Sequence, residues 1–383
     1  MENKATIKKV RSKVGIFGVA GYNRGDDAIA ISVVAGLRRA GLNCDFIIPT
    51  LRRSVDFADL ETFVLNRRTV SGITRLIAAI WHCDVILLGG GSLIQDKLGG
   101  SRTRGVIGYA WTITLIAKYL GKPILTIPLG VDELETDLGR RASREIFRRL
   151  QRLTVRDRLS ADNVIEILGE NSSSSHLVRS YDPAFWYPHN IKSRTREKEP
   201  HYVLCPAFEG LEEHHISLIF ASVATALLKS NPKARITLVA MDERIHEDGA
   251  KISLIQAVMP QELRDRISSL VPKTVDETVE VLATASGVVA MRLHAIILSY
   301  GKVPVFCVSR TTKTDALIEE LGVAGLRLSR AHDADAVGAL ALAAMHDKDA
   351  LSCHSSKLLT IRDELDCYFS DTCSEIRSLI AAS

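Results

Sequence analysis

The sequence predicts an α/β protein of two Rossmann-like domains facing a cleft, each a parallel sheet covered by helices on both faces. Three observations carry this. Short runs that are apolar throughout alternate with helix-length segments, the pattern of strands buried on both faces. The alternation stops at a polar, charged stretch near 187–200 and then starts again. The 383 residues are too many for one ordinary core and fit two. The expected organisation is an N-terminal domain over 1–186, a linker over 187–200 and a C-terminal domain over 201–350. A helix over 351–383 is expected to pack back across both domains.

Residues 14–19 read Val-Gly-Ile-Phe-Gly-Val, a short apolar strand. A Gly/Asn/Asp loop follows, then a helix over 26–40. A second strand is expected at 44–48, a helix at 71–81 and an apolar strand at 84–88. Next come a helix at 104–119, a proline-bracketed strand at 123–128 and a helix at 134–150. A short strand at 153–155 leads into a helix at 160–168. Past the linker, strands are expected at 201–204, 235–240, 287–290 and 303–308. Helices are expected at 215–228, 252–258, 262–270 and 295–300, with a long one at 356–380. No short-period repeat is present.

Composition excludes several classes. Hydrophobic residues make up 46% and charged residues 25%, which rules out a mainly disordered chain. The 25 glycines and 11 prolines are scattered, so collagen-like and low-complexity readings fail. A formal net charge of +4 is too mild to call for nucleic acid, which needs a concentrated basic stripe. Lys8, Lys9, Arg11 and Lys13 read as a solvated lead-in to the first strand. The seven cysteines are odd in number and lack Cys-x-x-Cys spacing. They read as buried thiols in a reducing compartment, without disulfides or zinc. His82, His176, His189, His214 and His215 lack ligand spacing, so no metal is expected. The start of the chain is polar and basic, unlike a secretory signal. The apolar run at 106–117 is shorter than the roughly 20 residues of a spanning helix. A cytoplasmic protein is expected, with peripheral contact at the inner membrane face still open.

In doubly wound sheets ligands bind beyond the carboxyl ends of the strands, so the loops there matter most. The first carries Asn23, Asp26 and Asp27 among glycines, ahead of a helix N-terminus that favours anions. It is not Gly-x-Gly-x-x-Gly, and the second strand ends in Pro49-Thr50 rather than an acid, which argues against a dinucleotide. Asp26 as a helix cap and as part of a ligand loop both stand. The second loop is Gly89, Gly90, Gly91 and Ser92, three glycines being more than a turn needs. They are expected to line the cleft, and Ser92 with Gln95 predicts a capping box and a helix start. The third places Arg156 at a strand end, with Ser160 as the expected cap. Its planar fork suits carboxylate or phosphate, and an ion pair with Asp157 is the competing reading. The fourth carries Arg292 and His294, two apart and sharing a face on extended backbone. Lys313 follows the next strand, as an anion contact or an ordinary helix-start lysine.

Five stretches in this order resemble the polysaccharide pyruvyl transferase family. They are Gly-Tyr-Asn-Arg-Gly-Asp-Asp-Ala (21–28), Gly-Gly-Gly-Ser-Leu-Ile-Gln-Asp (89–96), Val-Arg-Asp-Arg-Leu-Ser (155–160), Asp-Pro-Ala-Phe (182–185) and Arg-Leu-His-Ala (292–295). The resemblance implies a two-domain, glycosyltransferase-B-like fold. It implies transfer of a pyruvyl group from phosphoenolpyruvate to two hydroxyls of a saccharide or lipid-linked saccharide, giving a ketal of a cell-surface or exopolysaccharide precursor. By position, His294 matches the family's catalytic histidine and Arg156 a donor-binding arginine, with Arg292 and Lys313 as further donor contacts. Asp27 stands where many relatives carry Glu. Asp26, Asp27 or Asp96 is the candidate base for the sugar hydroxyls, Asp27 being the expected catalytic partner of His294. Phosphoenolpyruvate is then a donor substrate and no cofactor or nucleic-acid partner is implied. Two other readings remain: a sugar-nucleotide glycosyltransferase on the same fold, and a non-catalytic family member. Acceptor identity and oligomeric state stay open.

Overall fold

The computed structural model describes residues 11–382 apart from 19, 68, 97–100, 170–176, 189–198, 209–212, 243, 245–247 and 329–333. Lys8, Lys9, His176, His189 and most of the expected linker lie outside the described residues.

The first sheet is parallel and built from β1 (Lys13–Phe17), β2 (Asp45–Thr50), β3 (Glu61–Val64), β4 (Val85–Leu88) and β5 (Ile124–Thr126). Its order is β3-β2-β1-β4-β5. Bridges Leu125↔Arg152 and Leu129↔Val155 continue it into the pair β6 (Leu153–Val155) and β7 (Leu177–Arg179). The second sheet comprises β8 (His201–Cys205), β9 (Arg235–Val239), β10 (Ile267–Leu270), β11 (Gly287–Ala290), β12 (Val305–Ser309) and β13 (Ala324–Arg327). Its order is β10-β9-β8-β11-β12-β13, again parallel throughout. The order reverses between β1 and β4 in one sheet and between β8 and β11 in the other. Those two crevices are where such sheets take ligands.

The first lobe carries α1 (Arg24–Arg39), α2 (Val70–His82), α3 (Gly105–Tyr119), α4 (Asp137–Phe147) and α5 (Arg158–Leu168). The second carries α6 (Glu213–Ser230), α7 (Asp248–Lys251), α8 (Ser253–Val258), α9 (Val275–Thr284), α10 (Leu293–Ser299), α11 (Thr312–Leu321) and α12 (Ala334–Met345). A long helix, α13 (Lys348–Ala382), follows. Side-chain oxygens of Asn23, Thr69, Thr136, Asp157, Thr274 and Thr311 each accept a first-turn backbone N–H of their helix. These caps satisfy orphan donors and fix where each strand-to-helix loop ends.

Several expectations are corrected here. Asn23, not Asp26, caps α1, and Asp157, not Ser160, caps α5. No helix starts at Ser92, where Gln95 Nε2 instead donates to the Ser92 carbonyl at 2.8 Å. The expected helix at 262–270 is a 3-10 turn, Gln261–Arg266, followed by β10.

The lobes share one apolar cluster running from β1 and α1 through Phe185 and Trp186 into α9, α10 and α13. Phe369 of α13 packs on Gly36, where any Cβ would lie 2.4 Å from its ring. Earlier in α13, Ser355 donates to the Gly301 carbonyl at 2.7 Å, so the helix touches both lobes. The start of α1 also crosses: Arg24 N donates to the Met241 carbonyl at 3.1 Å and its Nε to that of Pro272 at 3.0 Å.

Candidate active site

The site is assembled where the loops after β4, β6 and β11 meet. The apolar run of β6 delivers Arg156 at its end, and Asp157 turns the chain into α5 by accepting the Ser160 N–H at 2.7 Å. The Arg156 side chain is buried. Its Nη1 donates to Asp182 Oδ2 at 3.0 Å, its Nε to Asp157 Oδ2 at 3.3 Å and its Nη2 to Ser92 Oγ at 3.3 Å. The guanidinium lies against Gly130, where a Cβ would sit 2.9 Å from its carbon. Ser92 also accepts from Lys313 Nζ at 3.0 Å, and Lys313 pairs with Asp132 Oδ2 at 2.7 Å. Lys313 belongs to α11 of the second lobe, so this contact spans the crevice.

His294 enters from the same lobe, on the first turn of α10. Its ring covers Gly25 of α1, where a Cβ would lie 2.1 Å from the imidazole. Its Nε2 is 3.5 Å from Asp182 Oδ2, long for a hydrogen bond and chiefly electrostatic. Asp182 is buried and its Oδ1 accepts the Ala184 N–H at 3.0 Å. Burial pushes its carboxyl up, but His294, the Arg156 charge and the Ala184 N–H together hold it down at about 2. Asp182 is therefore a fixed anion placed between an arginine and an imidazole.

Asp26 lies beside this cluster, feeling the charges of His294 and Arg156. Burial nonetheless raises its carboxyl to about 6. It borders a cavity of about 280 Å3 also lined by Tyr22, Gln95, Tyr109, Asp242 and Arg244. Asp26 is only partly covered, so it can exchange protons with a molecule held there.

The sequence-derived candidates do not all gather here. Arg156, Ser92, Lys313, His294 and Asp26 do. Asp27 is fully buried, its Oδ1 accepting the Gly21 N–H at 2.6 Å and its Oδ2 an Arg24 N–H at 3.2 Å. That geometry shapes the loop and leaves no face for a substrate, against the catalytic expectation. Arg292 and His294 do not share a face, because α10 begins between them. Arg292 turns to Asp248 with two bonds of 2.8 Å. Asn23 is occupied as a cap, though it also borders the cavity. Gly89, Gly90 and Gly91 are buried rather than open to the cleft, with φ of 148°, 95° and 75°. That left-handed run is what only glycine tolerates, and it delivers Ser92. Asp96 accepts the Glu135 and Thr136 N–H groups at 3.0 and 2.8 Å, holding the chain ahead of α4. Sequence reasoning assigned no role to Asp182, Asp132 or Gly25. For Asp182 the signal was present, an acid followed by proline within a motif stretch.

Among the described residues no group of three or more His, Cys, Asp or Glu is placed to hold a metal. No helix among them is long and apolar enough to cross a membrane.

Two parallel sheets with a crevice at facing switch points define a fold of the glycosyltransferase-B type, shared by glycosyltransferases and sugar-nucleotide epimerases. The UDP co-structure of MnaA from S. aureus superposes with a TM-score of 0.63 at 13% identity, covering 90% of each chain. A glycosyltransferase from Rickettsia africae gives 0.62 at 12% identity, covering 97% of this chain and 100% of that one. The UDP-GlcNAc 2-epimerase of Methanocaldococcus jannaschii gives 0.60 at 11% identity, covering 91% and 99%. Among curated proteins none matches the sequence. The family model for polysaccharide pyruvyl transferases matches residues 23–311, and the chain belongs to that family.

Proposed function

We propose that the protein transfers the pyruvyl group of phosphoenolpyruvate to two hydroxyls of a saccharide, releasing phosphate and forming a ketal. The observation that carries this reading is the convergence of Arg156, Ser92 and Asp182 from one lobe with His294 and Lys313 from the other. The donor bears a carboxylate and a phosphate, and two cations on opposite walls suit both. His294 gives a proton to the vinyl carbon, making the methyl group and an oxocarbenium-like centre. Asp182 supplies the counter-charge for the imidazolium and is a positioning residue. A sugar hydroxyl attacks that centre and gives up its proton, for which Asp26 is the acceptor. Phosphate then leaves and takes a proton, and the second hydroxyl closes the ketal as it loses its own. One donor and two hydroxyls thus become one ketal and one inorganic phosphate. The reading requires neither a metal nor a cofactor.

Turnover in heavy water tests it. Deuterium should appear in the product methyl group, with phosphate released in step with ketal. Stabilisation against heat by a sugar nucleotide but not by phosphoenolpyruvate would replace this reading with glycosyl transfer.

A further inference from the structure

One face of the first lobe differs from the rest of the surface. α2 leaves Val70, Ile73, Ile77 and Trp81 exposed at 80%, 45%, 40% and 60%. Their spacing of i, i+3, i+7 and i+11 makes one apolar stripe along the helix. Beside it, α3 ends in Tyr119, 82% exposed. Between the two helices runs a groove of about 480 Å3, lined by Ile73, Gly108 and Thr112. Leu65, Arg67 and Tyr109 line both this groove and the cavity that holds Asp26. The groove therefore leads from the apolar face toward the site.

The charge of this region is one-sided. Residues 62–83 carry Arg67 and Arg75 among those described, and residues 101–131 carry Arg102, Arg104, Lys118 and Lys122, with no acidic residue in either stretch. The whole chain has a net charge of only +4. Glu145 reaches in to pair with Arg102, which leaves the excess strongly positive. A second copy of the chain would bring like charges together across a twofold axis, which disfavours self-association. An apolar stripe with Trp and Tyr, carried on stretches whose charges are cationic, fits an anionic lipid surface.

We propose that the α2–α3 face docks on an anionic membrane, with the groove admitting the lipid-proximal end of a lipid-linked saccharide acceptor. The second clause rests on the pyruvyl transfer proposed above; the docking does not. Sedimentation of the full chain with vesicles tests it, using phosphatidylcholine alone or mixed with phosphatidylglycerol. The chain should sediment with the mixed vesicles and not with phosphatidylcholine alone, and added salt should release it. Each cation near such a surface contributes about fivefold in partitioning. Val70→Ser/Trp81→Ser should lower partitioning at least tenfold, and Arg75→Glu several-fold, with unchanged melting temperature and unchanged turnover on a water-soluble saccharide. Equal partitioning of variants and parent would overturn the docking, as would a dimer that the double variant abolishes. Phosphate release without vesicle binding would sink the membrane face alone. Vesicle binding by a chain that neither binds nor turns over phosphoenolpyruvate would support the docking and remove the reaction.

Discussion

Asp182→Asn isolates the anion on which the site is built. The amide keeps an oxygen for the Ala184 N–H but presents an NH2 to Arg156 and His294, where a carboxylate oxygen had stood 3.0 and 3.5 Å away. A carboxyl at about 2 in the fold, against 3.8 ordinarily, corresponds to about 2 kcal/mol of stability. The folded value is depressed, so this contribution is complete above pH 4 and is lost as pH falls toward 2. Loss of one charge-assisted hydrogen bond gives a similar figure, about 1.5–3 kcal/mol. Guanidinium denaturation should therefore find the variant about 2 kcal/mol less stable from pH 5 to 8, with the gap closing below pH 4. Turnover at saturating donor should fall at least tenfold, because the imidazole loses its orienting partner. A variant that matches the parent in both stability and turnover at pH 7 would refute the reasoning.

Asp26→Asn should remove the acid limb near pH 6 from the kcat/KM profile and lower turnover by about 10²-fold or more. Its raised folded value makes the carboxylate a burden on the fold as pH climbs from about 4 through 6, so the variant should melt higher at pH 7. Retention of that limb would point to another base. Gly25→Ala sets a methyl group 2.1 Å from the His294 ring and must displace it. Turnover should drop more than tenfold with helical circular dichroism intact, and full activity would show that the ring position is not critical. Asp27→Asn gives up a buried pair with Arg24, but burial already pushes that carboxyl up to about 7, so any stability deficit of the variant should shrink as pH rises from about 4 through 7. The fraction that remains folded should keep its kcat; a large loss there would restore Asp27 to the chemistry.

The central strands were legible because they are apolar throughout, and so were the loops after them, because charge or glycine interrupts an apolar run there. Edge strands were not. β3 reads Glu-Thr-Phe-Val, β13 Ala-Gly-Leu-Arg and β10 Ile-Ser-Ser-Leu, each short, half exposed and without a continuous apolar signal. For this reason the sequence reads residues 267–270 as the end of a helix rather than as β10. Within the site, residue type at a strand end gave Arg156 and His294, but partnership is a three-dimensional property. Arg292 and His294 are neighbours in sequence and part company because one precedes α10 and the other begins it. Asp26 and Asp27 are adjacent yet opposite in role, since consecutive helical residues point about 100° apart. Nothing linear says which of them meets water.

The crossing of Arg24 into the second lobe and the reach of α13 over both have a consequence for biogenesis. Of the acceptors of Arg24, Met241 and Pro272 belong to the second lobe, and α13 follows later still. At ordinary translation speeds, the first lobe waits roughly ten to forty seconds for these partners. During that interval the part of α1 that packs on α9, α10 and α13 is uncovered. The nascent first lobe is thus an incomplete surface in need of shielding, and the active site cannot form until nearly the whole polypeptide has left the ribosome.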